Sequence, residues 1–320
     1  MWKANAGLRI GAAMCMALLA LLAAGCGDDD GGGGTVMPGP NEPYSASLAT
    51  ELCLLSLQAY QQLIDFEHGQ PFTLPAPYTV RQQYDTPERY AGELGSDTDA
   101  ELPIAFVATA GQTIYVVFRG TQTITEWIDD AEFGQVAYDY VNGGGRSEAG
   151  FTAIYETVHE AIVETVEALI AQGGYTTLYV TGHSLGAALA TLAAPELEAR
   201  TTLQPQLYNF ASPRVGNLVF APRYNALVPI SWRVVNTNDV APTLPPTSVL
   251  LYRDGHYQLL FYDHVDSEER ITFGNPVTSP LDVHDIEFNH AACNYYATLC
   301  EQTADPAACK QKAAGVGGCT

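Results

Sequence analysis

The sequence predicts an α/β fold, with a mostly parallel β-sheet covered by helices on both faces. Strand-like and helix-like patterns alternate along most of the chain, which is typical of such sheets. A short strand pattern also leads through a Gly-x-Ser-x-Gly turn into an Ala- and Leu-rich helix. The 320 residues are 47% hydrophobic and 16% charged, which excludes a wholly disordered chain. This length suits one large α/β domain or two ordinary ones.

The individual elements follow from the spacing of apolar residues. Positions 48, 52, 55, 59 and 63 lie on one helical face, and the apolar residues between 151 and 169 predict a long amphipathic helix that ends at Gly173. The predicted helices cover residues 44–66, 151–169, 185–197 and 288–300. The predicted strands cover residues 103–108, 113–118, 178–181, 207–210, 232–235, 249–252 and 257–261. Turns at Gly111 and at Asp254-Gly255 predict two hairpins.

The first 26 residues have the pattern of an export signal. Lys3 and Arg9 precede an apolar run over residues 10–24, which is too short for an ordinary membrane-spanning helix. The segment ending at Cys26 resembles a bacterial lipobox, so we expect an exported lipoprotein anchored to a membrane through lipidated Cys26. Plain secretion after cleavage is the alternative. We expect a signal peptide over 1–26, a flexible tether over 27–43, a catalytic domain over 44–300 and a Cys-containing tail over 301–320.

The charge balance and the cysteines limit the partners and the compartment. With 14 Lys and Arg against 36 Asp and Glu, the formal net charge is −22. This excludes nucleic acid as a natural partner and disfavours anionic membranes. Export is consistent with disulfides. Five cysteines follow Cys26, so we expect one of them to remain unpaired within the chain; they are Cys53, Cys293, Cys300, Cys309 and Cys319.

The Gly-x-Ser-x-Gly turn supplies a candidate nucleophile. Gly182 and Gly186 flank Ser184 where a strand turns sharply into a helix, and side chains at the two glycine positions would collide with neighbouring backbone. Such a turn strains the serine backbone and projects its hydroxyl above the carboxyl edge of the sheet, beside a helix N-terminus. We expect His183 to point away from Ser184 and to serve only packing.

A serine nucleophile needs a base and an orienting carboxylate, which follow it along the chain in this architecture. Asp239 follows the predicted strand over residues 232–235 and is the favoured acid. Asp263, Asp266 and Asp282 remain alternatives, and Asp254 is interpreted as a turn residue. The candidate bases are His256, His264, His284 and His290.

Several segments, taken together, resemble the class 3 (fungal-type) triacylglycerol lipase family. The similar blocks are VVFRGT at 116–121, TITEWIDD at 123–130, VTGHSLGAALA at 180–190, FASPRVGN at 210–217 and VVNTNDVAPTLPP at 234–246. They occur in the family's order, and the resemblance as a whole covers about residues 44–300. The resemblance implies an α/β-hydrolase fold and a single hydrolase domain. One departure is Glu148, where the family often has a histidine.

The resemblance assigns roles to residues of this chain. It implies Asp239 as the acid and His290 as the base, with His284 as the runner-up. It places an oxyanion hole at the backbone N–H groups of Thr121 and Leu185. A lid is implied over residues 124–133, with Ile124, Trp127 and Ile128 as its apolar side chains; a fixed helix with Trp127 in the core is the alternative. A Cys53–Cys300 disulfide is a further expectation beyond the matching region.

These observations predict a serine carboxylic ester hydrolase that needs no metal or other cofactor. Acylglycerols are the expected substrates. Phospholipase A1 activity and hydrolysis of soluble or aryl esters are the alternatives within enzymes. A non-catalytic, surface-tethered binding protein is the alternative from another class. The sequence leaves the oligomeric state open.

Overall fold

A computed structural model describes residues 42–87, 101–122, 124, 133–253, 255–265, 267–279 and 281–319. Helices and strands alternate there, as predicted. The helices are α1 (Ala46–Glu67), α2 (Ala149–Glu156), α3 (His159–Gln172), α4 (Leu185–Arg200), α5 (Phe220–Leu227), α6 (Val283–His290), α7 (Ala292–Cys300) and α8 (Pro306–Gln311). The strands are β1 (Thr79–Pro87), β2 (Glu101–Ala110), β3 (Thr113–Phe118), β4 (Gln135–Ala137), β5 (Arg146–Glu148), β6 (Thr177–His183), β7 (Pro205–Phe210), β8 (Ser231–Asn236), β9 (Ser248–Arg253), β10 (His256–Phe261) and β11 (Glu268–Ile271).

The main sheet is mixed, with the order β1-β2-β3-β6-β7-β8-β11. Strands β1, β2 and β3 pair antiparallel, and the pairs from β3 to β11 are parallel. The predicted hairpin of β2 and β3 is confirmed. Strands β9 and β10 form the second predicted hairpin, in a separate two-stranded sheet. The parallel half brings the carboxyl ends of β3, β6, β7 and β8 to one edge.

Alternate side chains of the central strands enter two different cores. In β3, Ile114, Val116 and Phe118 face the core formed with α2, α3, α4 and α5. Tyr115 and Val117 face the opposite core, where α1 and α7 pack. This two-residue period is the geometry of a strand buried on both faces, so the predicted three-layer arrangement is confirmed.

Two predicted helices are each interrupted by non-helical residues. The segment predicted as one helix over 151–169 ends at Glu156 and restarts at His159. Thr157 lies in the gap, and its hydroxyl bonds the carbonyl of Ile154 and the hydroxyl of Thr86, which competes with continued helix. The second break is at Ala291, whose backbone is extended (φ −58°, ψ 124°) and separates α6 from α7.

The C-terminal cysteines join the tail to the last long helix. Disulfides connect Cys293 with Cys319 and Cys300 with Cys309, and Cys53 is a buried free thiol. The expected Cys53–Cys300 bond is therefore wrong. Helix α7 does pack on α1, but the short helix α8 brings Cys309 within a Cα–Cα distance of 5.6 Å of Cys300. The expectation of one unpaired cysteine is correct.

Among the helices of the described residues, none combines the length and the apolar character needed to cross a bilayer.

Candidate active site

Three glycines allow backbone segments to meet at the turn between β6 and α4. A Cβ atom on Gly182 would lie 2.3 Å from the backbone of Gly186, and one on Gly186 would lie 2.4 Å from the carbonyl oxygen of Phe118. A Cβ on Gly120 would lie 2.6 Å from the carbonyl oxygen of His183. These approaches are too close for any other residue, so strand β3, the turn and the first turn of α4 are locked together.

Ser184 occupies the strained point of this turn. Its φ of 59° and ψ of −123° are unfavourable for an L-residue with a side chain, and strain of this kind costs about 1–3 kcal/mol. The surrounding contacts hold it there, because its N–H donates to the carbonyl of Phe210 at 3.0 Å and its own carbonyl accepts from Ala187 at 2.9 Å. The strain predicted from the sequence is therefore present, and the Ser184 hydroxyl lies at the carboxyl edge of the sheet.

The structure brings Ser184, His290 and Asp239 into one hydrogen-bonded line. His290 Nδ1 donates to the Asp239 carboxylate at 3.0 and 3.1 Å, which leaves Nε2 as the acceptor for the Ser184 hydroxyl at 2.8 Å. All three residues are buried, with exposed fractions of 3% for Ser184, 5% for His290 and 4% for Asp239. The arrangement can take a proton from the hydroxyl and stabilise the resulting imidazolium.

Asp239 is held by donors on both of its oxygens. Besides His290, Oδ1 accepts from the backbone N–H of Ala241 at 2.9 Å, and Oδ2 accepts from the Tyr295 hydroxyl at 2.7 Å. The same Tyr295 oxygen accepts from the N–H of Asn236. These bonds compensate for burying the carboxylate and fix its orientation. Burial and the neighbouring Asp239 raise the pKa of Tyr295 well above its usual value, so Tyr295 stays protonated and able to donate.

His183 has a role beyond the packing that the sequence suggested. Its Nε2 donates to the carbonyl oxygen of His290 at 2.8 Å, and its Nδ1 accepts from the Tyr60 hydroxyl at 2.9 Å. Burial, and then the nearby His290, hold the pKa of His183 well below 6.5, so the ring is neutral in this tautomer. The interaction ties the backbone of His290 to helix α1. The sequence pattern does not reveal this interaction, because Tyr60 and His290 are each more than 100 residues from His183 along the chain.

The two predicted oxyanion donors belong to chain segments that meet at the turn. Leu185 begins α4, where the first amides have no partner within the helix. Thr121 is 6% exposed and follows Gly120, which lies close to the carbonyl oxygen of His183. Arg119, fully buried, fixes the end of β3 by donating to the carbonyls of Pro103 and Gly120. Glu148, the departure from the family pattern, accepts from Phe151 N–H and caps α2.

The other predicted site residues lie elsewhere. The side chain of His284 is 90% exposed, with Nδ1 3.7 Å from Asp285, and His256 is exposed at the hairpin. His264 donates to the Pro242 carbonyl, Asp263 accepts from the N–H of His264, and Asp282 caps the turn before α6. Ile124 is buried among apolar residues near the site. Trp127, Ile128, Cys26, Asp254 and Asp266 lie outside the described residues.

One group of side chains in the described part of the chain has the spacing of metal ligands. His159, Glu160 and Glu196 have ligand atoms within 4.8 Å of one another. Arg200, however, bonds Glu160 at 2.6 and 2.8 Å and lies 3.4 Å from Glu196, so its guanidinium already balances the carboxylates. The group is therefore an ion-pair network on the side of α3 and α4, and it is not part of the Ser184 site.

Similarity to known proteins agrees with this geometry. Residues 115–249 match the family model for lipase (class 3). The matched segment contains Thr121, Ser184 and Asp239. The chain is 34% identical over 165 residues to secreted mono- and diacylglycerol lipase A of Penicillium cyclopium, covering 52% of this chain and 50% of that protein. It is 35% identical over 181 residues to a lipase of Rhizomucor miehei, covering 55% and 46%. The chain thus spans about half the length of these curated relatives.

A solved structure gives the fold. A triacylglycerol lipase whose catalytic centre is described as a serine protease triad superimposes with a TM-score of 0.52 at 27% identity, covering 69% of this chain and 84% of that one. The protein therefore has the α/β-hydrolase fold of lipases, as the sequence predicted.

The buried, neutral His183 makes stability depend on pH. Its folded pKa lies below the unfolded value of 6.5, so its contribution is complete above pH 6.5 and is lost as pH falls below it. We expect the free energy of unfolding to fall by up to about 1.4 kcal/mol per pH unit from this residue. Urea unfolding at pH 7, 6 and 5 should show a shallower pH dependence in His183→Gln. The exposed His284→Gln serves as control, and an unchanged slope in His183→Gln contradicts the assignment.

Proposed function

We propose that this protein hydrolyses carboxylic esters through an acyl-enzyme, with Ser184 as nucleophile, His290 as base and Asp239 as orienting acid. The observation that carries the proposal is the continuous hydrogen-bonded line from Ser184 Oγ through His290 to Asp239, built on a strained strand-to-helix turn. Thr121 and Leu185 are the proposed oxyanion donors, through their backbone N–H groups.

The proposed reaction has two matching halves. His290 Nε2 accepts the proton of Ser184 while Oγ attacks the ester carbonyl, and the negative charge on the carbonyl oxygen is stabilised by the two N–H groups. The intermediate collapses, the C–O bond to the alcohol breaks, and the proton held by His290 goes to the leaving alcohol. Water then attacks the acyl group with His290 again as base, and the acid product leaves with Ser184 restored. Asp239 stabilises the imidazolium in both halves.

Acylglycerols are the proposed substrates. The relatives' names support this, since they describe a mono- and diacylglycerol lipase and a lipase. A chain with a net charge of −22 also suits a neutral ester better than an anionic one. Within this proposal, residues 124–133 act as a lid. Its first side chain, Ile124, packs with Phe133 and Leu244 beside the loop that carries Asp239.

Replacement of the nucleophile tests the chemistry. We expect Ser184→Ala to lower kcat for a short-chain p-nitrophenyl ester by about 10⁴-fold or more, since the acyl-enzyme cannot form. A fluorophosphonate probe should label the wild type and not the variant. Ser231→Ala, which removes another buried hydroxyl, is the matched control and should retain turnover and labelling. A wild type that neither turns over nor reacts would indicate the binding-protein alternative.

Substrate class is separated by comparing the wild type on emulsified triacylglycerols, phosphatidylcholine and water-soluble aryl esters. Higher kcat/KM on emulsified acylglycerols supports a lipase. Preference for the phospholipid sn-1 ester indicates phospholipase A1, and activity confined to soluble esters indicates an esterase.

Removal of the Tyr295 hydroxyl tests whether Asp239 needs hydrogen-bond donors on both of its oxygens. Tyr295→Phe removes one buried, charge-assisted hydrogen bond, worth about 1.5–3 kcal/mol. We expect kcat to fall by about tenfold or more while KM for a soluble ester changes little, because the substrate does not contact Asp239. Tyr296→Phe is the matched control, since its buried hydroxyl bonds the Cys309 carbonyl instead. Equal kcat values in the two variants would show that Tyr295 only supports packing.

Export as a lipoprotein completes the proposal, with residues 1–26 as signal peptide, 27–43 as tether, 44–300 as catalytic domain and 301–320 as tail. Cys26 would carry the acyl anchor. In a bacterial host, we expect a fatty-acid analogue to label the wild type and not Cys26→Ser. Equal labelling of the two chains, or no labelling of the wild type in the presence of a labelled control lipoprotein, rejects the anchor and leaves plain secretion.

A further inference from the structure

The hairpin of β9 and β10 carries large apolar side chains on both of its faces. In its antiparallel register, Tyr252 lies opposite Tyr257 and Leu250 lies opposite Leu259, so these four side chains share a face. Phe261 continues the same face opposite Ser248. A two-stranded sheet at the surface normally has one polar face, because only one face can pack on the protein. Here the second face is apolar as well.

The inner face fixes the hairpin to the rim of the candidate active site. Leu260 is buried, and Val249 and Leu251 pack with it against one apolar cluster. That cluster includes Ala241 and Leu244 from the loop just after Asp239, Ile124 near Thr121, and Ile286 on the helix that ends at His290. The hairpin is therefore attached to the segments that carry Asp239, Thr121 and His290.

The outer face is open to solvent. The exposed fractions of its apolar side chains lie between 45% and 74%, for Leu250, Tyr252, Tyr257, Leu259 and Phe261. Leu218, 56% exposed, lines a cleft together with Leu259 and Phe261, and Gln135, Arg146 and Asn217 line the same cleft. We call these six apolar residues the hairpin platform. A contiguous apolar surface of this kind is unusual on a protein that has no partner for it.

Charge and side-chain chemistry indicate which partner the platform fits. Residues 248–261 contain one Arg and one Asp, so this segment is neutral in a chain of net charge −22. A partner with a neutral apolar surface can contact this segment without electrostatic repulsion. An anionic partner would be repelled by the negative charge of the rest of the protein. Tyrosines suit a boundary between water and lipid, since their rings are apolar and their hydroxyls polar.

We propose that the hairpin platform docks the protein onto the surface of a neutral or zwitterionic lipid aggregate and so presents the rim of the Ser184 site to that surface. This inference rests on the proposed function for its purpose, because it names the physical form of the substrate. The six platform residues include none of residues 124–133 and do not include Cys26. Val249, Leu251 and Leu260 attach the hairpin to the fold through its inner face.

Vesicle partitioning tests the docking without turnover. All chains carry Ser184→Ala, so that no lipid is hydrolysed, and Cys26→Ser, so that no acyl anchor on Cys26 contributes. Flotation with phosphatidylcholine vesicles is compared for this background, for added Leu250→Gln/Leu259→Gln and for added Tyr252→Gln/Tyr257→Gln. We expect each double variant to lower the partition coefficient by about tenfold or more, because two apolar side chains no longer leave water. Phe66→Gln, 49% exposed on α1, is the control and should change it less than twofold.

Three results would overturn the proposal. These are unchanged partitioning in both double variants, partitioning that strengthens as phosphatidylglycerol is added, and a dimer by sedimentation that both double variants dissociate without loss of vesicle binding. The melting temperatures of all variants verify folding. With Ser184 restored, the double variants should keep wild-type kcat/KM on a soluble ester and lose activity only on emulsified ester. If the wild type turns over no ester, the proposed function fails while the partition measurement still judges docking.

Discussion

The close approach of three backbone segments around Ser184 is the constraint on which the site depends. Strand β3, the turn after β6 and the first turn of α4 meet at distances that only glycine permits, at positions 120, 182 and 186. This contact places the end of β3, and with it Thr121, beside the serine. It also holds Ser184 at a positive φ that an isolated chain would leave. Helix α4 supports the same turn, because all of its residues from Leu185 to Leu197 are buried and hold its first turn in place.

The remaining parts of the site are positioned by polar contacts with that rigid turn. The imidazole of His290 is held through its ring by Asp239, and its backbone is held through its carbonyl by His183. The break at Ala291 allows both, since it ends α6 at His290 and lets α7 start in a new direction with Tyr295 facing Asp239. Burying a carboxylate is costly unless its oxygens are satisfied. Here donors from α6, α7 and the loop after β8 satisfy them, so three separate elements are joined at one side chain.

How far the sequence predicts this arrangement depends on whether a feature is local. The turn at Ser184 is encoded within five residues by steric requirements, and Asp239 and His290 follow from chain order and from the family resemblance. The contribution of His183 was missed because its partners, Tyr60 and His290, are distant along the chain. Residues 151–169 keep an apolar period through Thr157, so the break there is visible only once the contact with Thr86 is known. Cysteine connectivity likewise depends on how α8 folds back, which spacing alone does not specify.

The β9–β10 hairpin illustrates a different limit. Its sequence predicts two strands and a turn, but apolar side chains occur in both rows, and the row that faces the core also carries Arg253, His256 and Gln258. The alternation therefore does not determine which row faces the core. The structure resolves this by packing Val249, Leu251 and Leu260 beside the Asp239 loop. The opposite row then projects outward at the same rim. For a chain this acidic, long-range electrostatics provides no attraction to an anionic surface, so the proposed docking relies on short-range apolar contact. Because the hairpin platform is attached to the loop that carries Asp239, docking through it would orient the Ser184 site as well as the whole protein.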